Sequence, residues 1–316
     1  MNSPLFSVII PTFNRPVILN RTLEYLEAQQ CNFPFEVIVV DDHPVNVLPD
    51  LGFGKGKRQN WKLIRNGVNL GRAATRNRGI KAAAGEYILF IDDDIWAEPQ
   101  LLQAHYDKQK EISGGVVVGA VPVHADIPHD PVNEHYRGRM GRLHSQMQAQ
   151  ADDLPYNFFF TGNVSVPKAK IVKAGLFDES FKTYSCEDTE LGYRLKKSGL
   201  RFVYQPKAAG WHYNNETLVT SLAKSENWGK STCVFAGLHP ELSENISVAG
   251  ILAPGNTKYQ VLLYRPVLFF SRCLCYALQK IGLNKSVINM LDHAGNLYFA
   301  YGMKQAKNNQ QWNRKI

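Results

Sequence analysis

Three things are scarce in this 316-residue chain. Cysteine is the first. Cys31, Cys186, Cys233, Cys273 and Cys275 are odd in number and follow neither a metal-ligand nor a disulfide-framework spacing, which excludes a cystine-stapled scaffold and suits a reducing setting. Long apolar runs are the second: no stretch reaches the roughly 18 uncharged apolar residues of a spanning helix. The opening residues also lack a basic segment followed by an apolar one, so no secretory signal is expected. The expected location is cytoplasmic, or peripheral on the inner face of a membrane. A nucleic-acid-type cluster of basic charge is the third absence. Lys and Arg number 36 against 28 Asp and Glu, a formal charge of +8. The basic residues are nevertheless dispersed and form no recognised reading module, so no nucleic-acid partner is expected. A positive balance of this kind fits phosphate-rich ligands or an anionic membrane surface.

What is present is organised around Tyr87–Ile95, YILFIDDDI, where a buried-strand pattern delivers Asp92, Asp93 and Asp94 to its end. Three adjacent carboxylates repel one another, and a hard divalent cation with its ligand would relieve that repulsion. A solvated acidic turn is the plain alternative. Two further apolar runs, Phe6–Ile10 and Phe35–Val40, flank a helical pattern with Pro16 in its first turn, and the second run also ends in acids, Asp41 and Asp42. Strand, helix and strand in this order predict a βαβ unit with a right-handed crossover. Ligands of such sheets bind beyond the carboxyl ends of the strands, which gathers Pro11–Arg15, Asp41 and Asp92–Asp94 on one rim.

Further along, RAATRNRGIKAAAG after Asn69 predicts a helix whose small residues allow close approach to the sheet. Its arginines Arg72, Arg76 and Arg78 are either solvated or turned to the same rim. A helix over 100–112, a strand over 116–121 and a strand over 158–166 follow. Residues 122–155 lack periodicity and read as a long loop, and their histidines, His124, His129, His135 and His144, read as surface or loop residues. The stretch EDTELGYRLKKSG predicts a helix over 187–199, closed by Gly199, that opens on Glu187 and Asp188, acids that the helix dipole favours there and whose pKa it lowers. Two short strand-like elements, 200–204 and 208–213, come next. A helix over 228–236 and one or two over 259–307 complete the chain. The segment 259–278 mixes aromatic, apolar and basic residues, so 259–307 admits a peripheral membrane contact, a homodimer contact or packing on the protein's own core.

Five motifs carry a resemblance: PTFNR at 11–15, VVDD at 39–42, NLGRAATRNRGI at 69–80, GEYILFIDDD at 85–94 and EDTELGYRL at 187–195. In this order and approximate spacing they resemble family 2 glycosyltransferases, over about residues 5–215. The resemblance implies an α/β fold of GT-A type: a Rossmann-like, mostly parallel sheet flanked by helices. It also implies a nucleotide-binding half over 5–120 and an acceptor-binding half over 121–216; beyond the resemblance, the helical patterns over 217–316 read as a C-terminal helical appendage. The implied activity is an inverting, metal-assisted transfer of a sugar from a nucleotide diphosphate, UDP above all, to a hydroxyl of a glycan or lipid-linked acceptor.

On the motif positions, Pro11, Thr12, Arg15, Asp41, Asn69, Asp92 and Asp93, with Arg72 or Arg76, would meet the nucleotide. Asp94 and His212 would hold Mn²⁺ or Mg²⁺, and Asp188 would be the general base. Glu187, Asn163 and Trp211 would face the acceptor. A sugar-phosphate nucleotidyltransferase is a second expectation, though PTFNR is not its Gly-rich loop. A catalytically inactive, glycosyltransferase-like binding subunit is a third.

Overall fold

A computed structural model describes residues 3–45, 48–182, 185–242, 265–280 and 284–308. Eight strands form one sheet: β1 (Phe6–Thr12), β2 (Phe35–Asp41), β3 (Lys62–Arg65), β4 (Tyr87–Ile91), β5 (Ile95–Ala97), β6 (Val116–Ala120), β7 (Asn163–Pro167) and β8 (Phe202–His212). Their order is β3-β2-β1-β4-β7-β6-β8-β5. The half built from β3, β2, β1 and β4 is wholly parallel. Beyond it β7 runs antiparallel to both β4 and β6, β8 is parallel to β6, and β5 is antiparallel to β8.

Strand alternation explains why the parallel half must be covered on both sides. Ile9, Ile38, Val40, Ile88 and Phe90 enter one core cluster, while Val8, Ile10, Val37, Val39, Leu89 and Ile91 enter another. Helices α1 (Pro16–Glu27) and α3 (Leu101–Glu111) bring Leu19, Leu23, Leu26, Leu101 and Leu102 to the second cluster. Helices α2 (Arg72–Ala82), α5 (Lys168–Lys173) and α6 (Glu187–Lys197) bring Ala73, Ile80, Ile171, Leu191 and Leu195 to the first. The close approach of α2 depends on Gly79, where a Cβ would lie 2.5 Å from Ile9 Cγ2.

Several elements differ from their sequence expectations. The region read as a loop contains α4 (Pro131–Ala149). Asp130 begins it, its Oδ1 accepting from the backbone N–H groups of Val132 and Asn133, with Pro131 directly after. His135 lies on this helix, buried, with its Nε2 2.8 Å from Asp292 Oδ1, and is not a loop residue. Strand β7 starts at Asn163 because Tyr156–Phe158 form a 3₁₀ turn before it. The two elements expected over 200–213 are one continuous strand, β8.

By internal contacts the chain divides into two units. One comprises Met1–Asp126, Met140–Lys182 and Glu187–Asn214, the other Ile127–Arg139, Thr183–Cys186 and Asn215–Ile316. Within the second, α7 (Leu218–Leu238) starts on a reciprocal capping box between Thr217 and Thr220. It is followed by α8 (Arg265–Lys280) and α9 (Asn284–Asn308). Helices α7 and α9 touch backbone to backbone: a Cβ on Gly229 would fall 1.9 Å from the Phe299 carbonyl oxygen, and one on Gly302 the same distance from that of Glu226. Expected structure over 259–264 and 281–283 lies outside the described residues. Among the described residues no helix is long and apolar enough to cross a membrane.

Candidate active site

The chain leaves the apolar β4 at Ile91 and turns at once, the turn closed by Ile95 N–H donating to the Asp92 carbonyl at 3.2 Å. The three acids then part company. Asp93 is buried; its carboxylate accepts from Thr12 Oγ1 at 2.7 Å and from Arg15 at 2.7 Å, and its carbonyl accepts from Thr22 Oγ1 at 2.7 Å. Burial and the neighbouring Asp94 charge push the Asp93 carboxyl up to about 7. Asp94 is also buried and lies between Arg15 at 3.0 Å and His212 Nε2 at 3.3 Å. Burial opposes its charge, but His212 and Arg15 outweigh that and hold the carboxyl well below the usual carboxylate range. Asp92 is the accessible one, its side chain 30 % exposed, and it accepts from Arg76 at 3.2 Å.

This arrangement places the expected nucleotide residues unevenly. Thr12 and Arg15 are engaged with Asp93 and Asp94, so in this structure they brace the acids from β1 and the start of α1. Pro11 is half-buried at the β1 tip. Asp41 is fully buried at the β2 tip; its Oδ1 accepts from His43 N–H at 3.1 Å, while Oδ2 has no hydrogen-bond partner. A buried acceptor left this way costs free energy until a donor reaches it. Asp42 braces the loop before α2, accepting from Asn66 Nδ2 and from the backbone N–H groups of Leu70 and Gly71 at 2.7–3.0 Å. That loop presents Asn69 at the surface, its Oδ1 also accepting from Gly71 N–H, and Arg72, the first residue of α2, is exposed beside it.

Arg76 settles otherwise than Arg72. At 1 % exposure its guanidinium joins Asp92 at 3.2 Å to Glu187 Oε1 at 2.8 Å, and lies 5.8 Å from the Phe177 ring centre. Two atoms of this bridge remain without hydrogen-bond partners, Arg76 Nε and Glu187 Oε2. Glu187 is therefore buried against an arginine. Asp188 follows, half-buried, with Oδ1 accepting from Thr189 N–H at 2.7 Å. Burial and the Glu187 charge push its carboxyl up to about 7, partly countered by Arg76. The helix start was expected to lower this pKa; two adjacent acids in a poorly hydrated place overcome the dipole. The backbone enters α6 through two consecutive left-handed, non-glycine residues, Ser185 (φ 87°) and Cys186 (φ 69°). Strain of this kind clusters at functional sites.

Two expected acceptor residues are not brought to the acids. Asn163 is fully buried, its Oδ1 2.8 Å from His105 Nε2 and its Nδ2 donating to the carbonyls of Ala120 and Ala208 at 3.1 and 2.8 Å. Every polar atom of that side chain is used inside the sheet. Trp211 alternates along β8 with His212, so the two point to opposite faces. Its indole N–H donates to Glu98, and its ring joins His124 and, through it, Trp96 and Tyr213. Sequence reasoning missed the bracing roles of Asp42 and Thr22, whose partners lie 28 and 71 positions away.

For a metal, Asp94 and His212 offer one carboxylate oxygen and one imidazole nitrogen converging within 3.3 Å. Among the described residues no cluster of three or more His, Cys, Asp or Glu side chains could hold an ion by itself. The pair fits a site in which a diphosphate supplies further oxygens, the usual manner for Mg²⁺.

Comparison with known proteins bears on the whole site. Residues 7–165 match the family model described as glycosyl transferase family 2. The chain is 33% identical over 223 residues to validoxylamine A glucosyltransferase of Streptomyces hygroscopicus subsp. limoneus, covering 62% of this chain and 49% of that protein. It is 29% identical over 224 residues to hyaluronan synthase of Pasteurella multocida, covering 62% and 23%. The match thus spans 49% and 23% of these relatives' lengths, half or less in each case. In fold it is similar to S. aureus TarS 1-349 in complex with UDP-GlcNAc (TM-score 0.51, 17% identity, 97% of this chain and 91% of that one). It is likewise similar to the mannosyltransferase PcManGT of Pyrobaculum calidifontis in complex with GDP-Man and Mn²⁺ (TM-score 0.56, 14% identity, 99% and 88%).

Proposed function

Since this chain belongs to glycosyl transferase family 2, we propose that it moves a sugar from a nucleotide diphosphate donor to a hydroxyl of a glycan or lipid-linked acceptor, inverting the anomeric centre. The observation that carries this proposal is the Arg76 bridge. One buried guanidinium ties Asp92, on the donor side of the β4 tip, to Glu187, the neighbour of Asp188. Donor-holding and proton-accepting groups are thereby fixed on a common support.

In this proposal the nucleotide lies across the tips of β1, β2 and β4. Asp41 Oδ2 accepts a ring N–H of the base, Asp92 meets the ribose, and Asn69 and Arg72 approach from the loop before α2 and from its first residue. Uridine is the base we propose, and one structural relative was solved with UDP-GlcNAc. Asp94 and His212 would hold Mn²⁺ or Mg²⁺, which when bound neutralises charge on the departing diphosphate. Asp188 takes the proton of the acceptor hydroxyl as that oxygen attacks the anomeric carbon from the face opposite the diphosphate. A carboxyl titrating near 7 is well matched to that task at neutral pH.

The test is calorimetric titration of the full chain with UDP and GDP, with and without chelator, followed by a screen of nucleotide sugars for transfer or hydrolysis. UDP should bind more tightly than GDP, and chelator should weaken it. UDP affinity indifferent to chelator would remove the metal assignment, and no turnover of any nucleotide sugar would remove the enzymatic one.

A further inference from the structure

Helix α8 carries more apolar surface than its own unit covers. Leu268 and Cys275 are buried and Ser271 and Leu278 half-buried, forming one stripe. Cys275 packs with Leu222 and Ala294, and Leu278 lies against Val287 and Leu291. Away from that stripe, Phe269, Phe270, Leu274 and Tyr276 are 61, 68, 49 and 57% exposed. Helix α9 spends its exposed positions differently, on Lys285, Asn289, Asp292, His293 and Asn296. Between Tyr259 and Lys280 the chain has no acid, while Arg265, Arg272 and Lys280 are basic. Residues 304–316 add Lys304, Lys307, Arg314 and Lys315, again without an acid.

We propose that α8 docks the protein on an anionic lipid surface, with Phe269, Phe270 and Leu274 at the acyl boundary and Arg272 and Lys280 at the phosphates. Lys280 Nζ lies over the Tyr276 ring, 5.4 Å from its centre, so a basic group and an aromatic ring are already paired on the exposed side of α8. As described, α8 has 16 residues with Arg272 in their middle, shorter than the roughly 20 apolar residues of a spanning helix. A second copy is the competing occupant. A two-fold contact across α8 would set Arg272 and Lys280 of both copies close together with no acid on the helix to answer them; Glu226 of α7 lines the same pocket as Arg272 but is held by Lys230 at 2.7 Å, whereas lipid phosphates answer both cations directly. Docking does not rest on the transferase proposal, and its test reads no catalytic step.

The full chain is sedimented with phosphatidylcholine vesicles containing or lacking phosphatidylglycerol. Binding should require phosphatidylglycerol and weaken with salt. Phe269→Ser with Phe270→Ser, and separately Arg272→Glu, should each reduce binding by about tenfold, with unchanged circular dichroism because these side chains face solvent. A Phe270→Trp variant should shift its emission to the blue on the same vesicles. Equal binding to both vesicle types, or none to either, overturns the proposal. So does a solution dimer dispersed by the Phe269→Ser, Phe270→Ser variant in a protein that ignores vesicles.

Discussion

Two buried polar clusters formed between the same sheet and its helices are put together on opposite principles. Behind β7, His105, Gln109, Asn163 and Ser165 form a closed set. Ser165 Oγ meets His105 Nδ1 at 3.0 Å and receives Gln109 Nε2 at 2.9 Å, while Asn163 bonds His105 and two backbone carbonyls. At the strand tips, Asp41 Oδ2, Arg76 Nε and Glu187 Oε2 remain without hydrogen-bond partners, and like charges crowd at Asp92–Asp94 and Glu187–Asp188. Buried polar groups are satisfied almost everywhere in folded proteins, so the closed set is what stability alone produces. The open set gives up stability, which under the proposed function a bound nucleotide would offset.

The largest effect that separates the two is at Asp188. Asp188→Asn should lower sugar transfer by about 10²- to 10⁴-fold without lowering the thermal midpoint, because a repelling charge beside Glu187 is removed. In the unmutated protein, transfer should fall as pH drops through about 7, since the base is protonated below that value. A variant with normal turnover, or one that simply unfolds, would break the contrast.

The reverse expectation holds at Asn163. Asn163→Leu leaves His105 and the carbonyls of Ala120 and Ala208 unanswered, and should cost about 3 kcal/mol in denaturant unfolding. Nucleotide affinity per folded molecule should be unchanged. Altered affinity would return Asn163 to the site.

The smallest effect concerns His105, whose pKa burial pushes down to about 4. Folded, it stays neutral; unfolded, it gains a proton below about 6.5. Its contribution is therefore complete above that value and is lost as pH falls toward 4, about 1 kcal/mol by pH ~5.5. The acid sensitivity of a His105→Gln variant, measured by denaturant unfolding across this window, should be smaller by that amount. Identical pH dependence would show that His105 is not held neutral.

The strands of the parallel half were legible because both faces are covered, which writes them as unbroken apolar runs such as FSVII and FEVIVV. Helix α4 was not legible: its apolar residues do not keep to one side, glycines interrupt it at 138 and 141, and its residues 131–139 and 140–149 fall in different units. Only Asp130–Pro131 announced it. Among site residues, Asp92–Asp94 and Asp188 were marked by motif, but what differentiates the acids was not. Most of the contacts that do so join distant positions, such as Arg15 with Asp93, 78 residues apart, and Arg76 with Glu187, 111 apart. Asn163 looked like a site residue because an Asn after Gly162 at a strand start carries the same signature whether its amide faces a ligand or a neighbouring strand.

The paired glycines of α7 and α9 work as a vernier. Each helix supplies the notch into which the other's backbone settles, so the two marks coincide at a single offset. Slipping α9 by one turn would bring Tyr298 or Ala306 to the place of Gly302, and neither fits where a single methyl already collides with the Glu226 carbonyl. The length of α9 that projects past the crossing is thereby fixed by two residues that contribute no side chain at all.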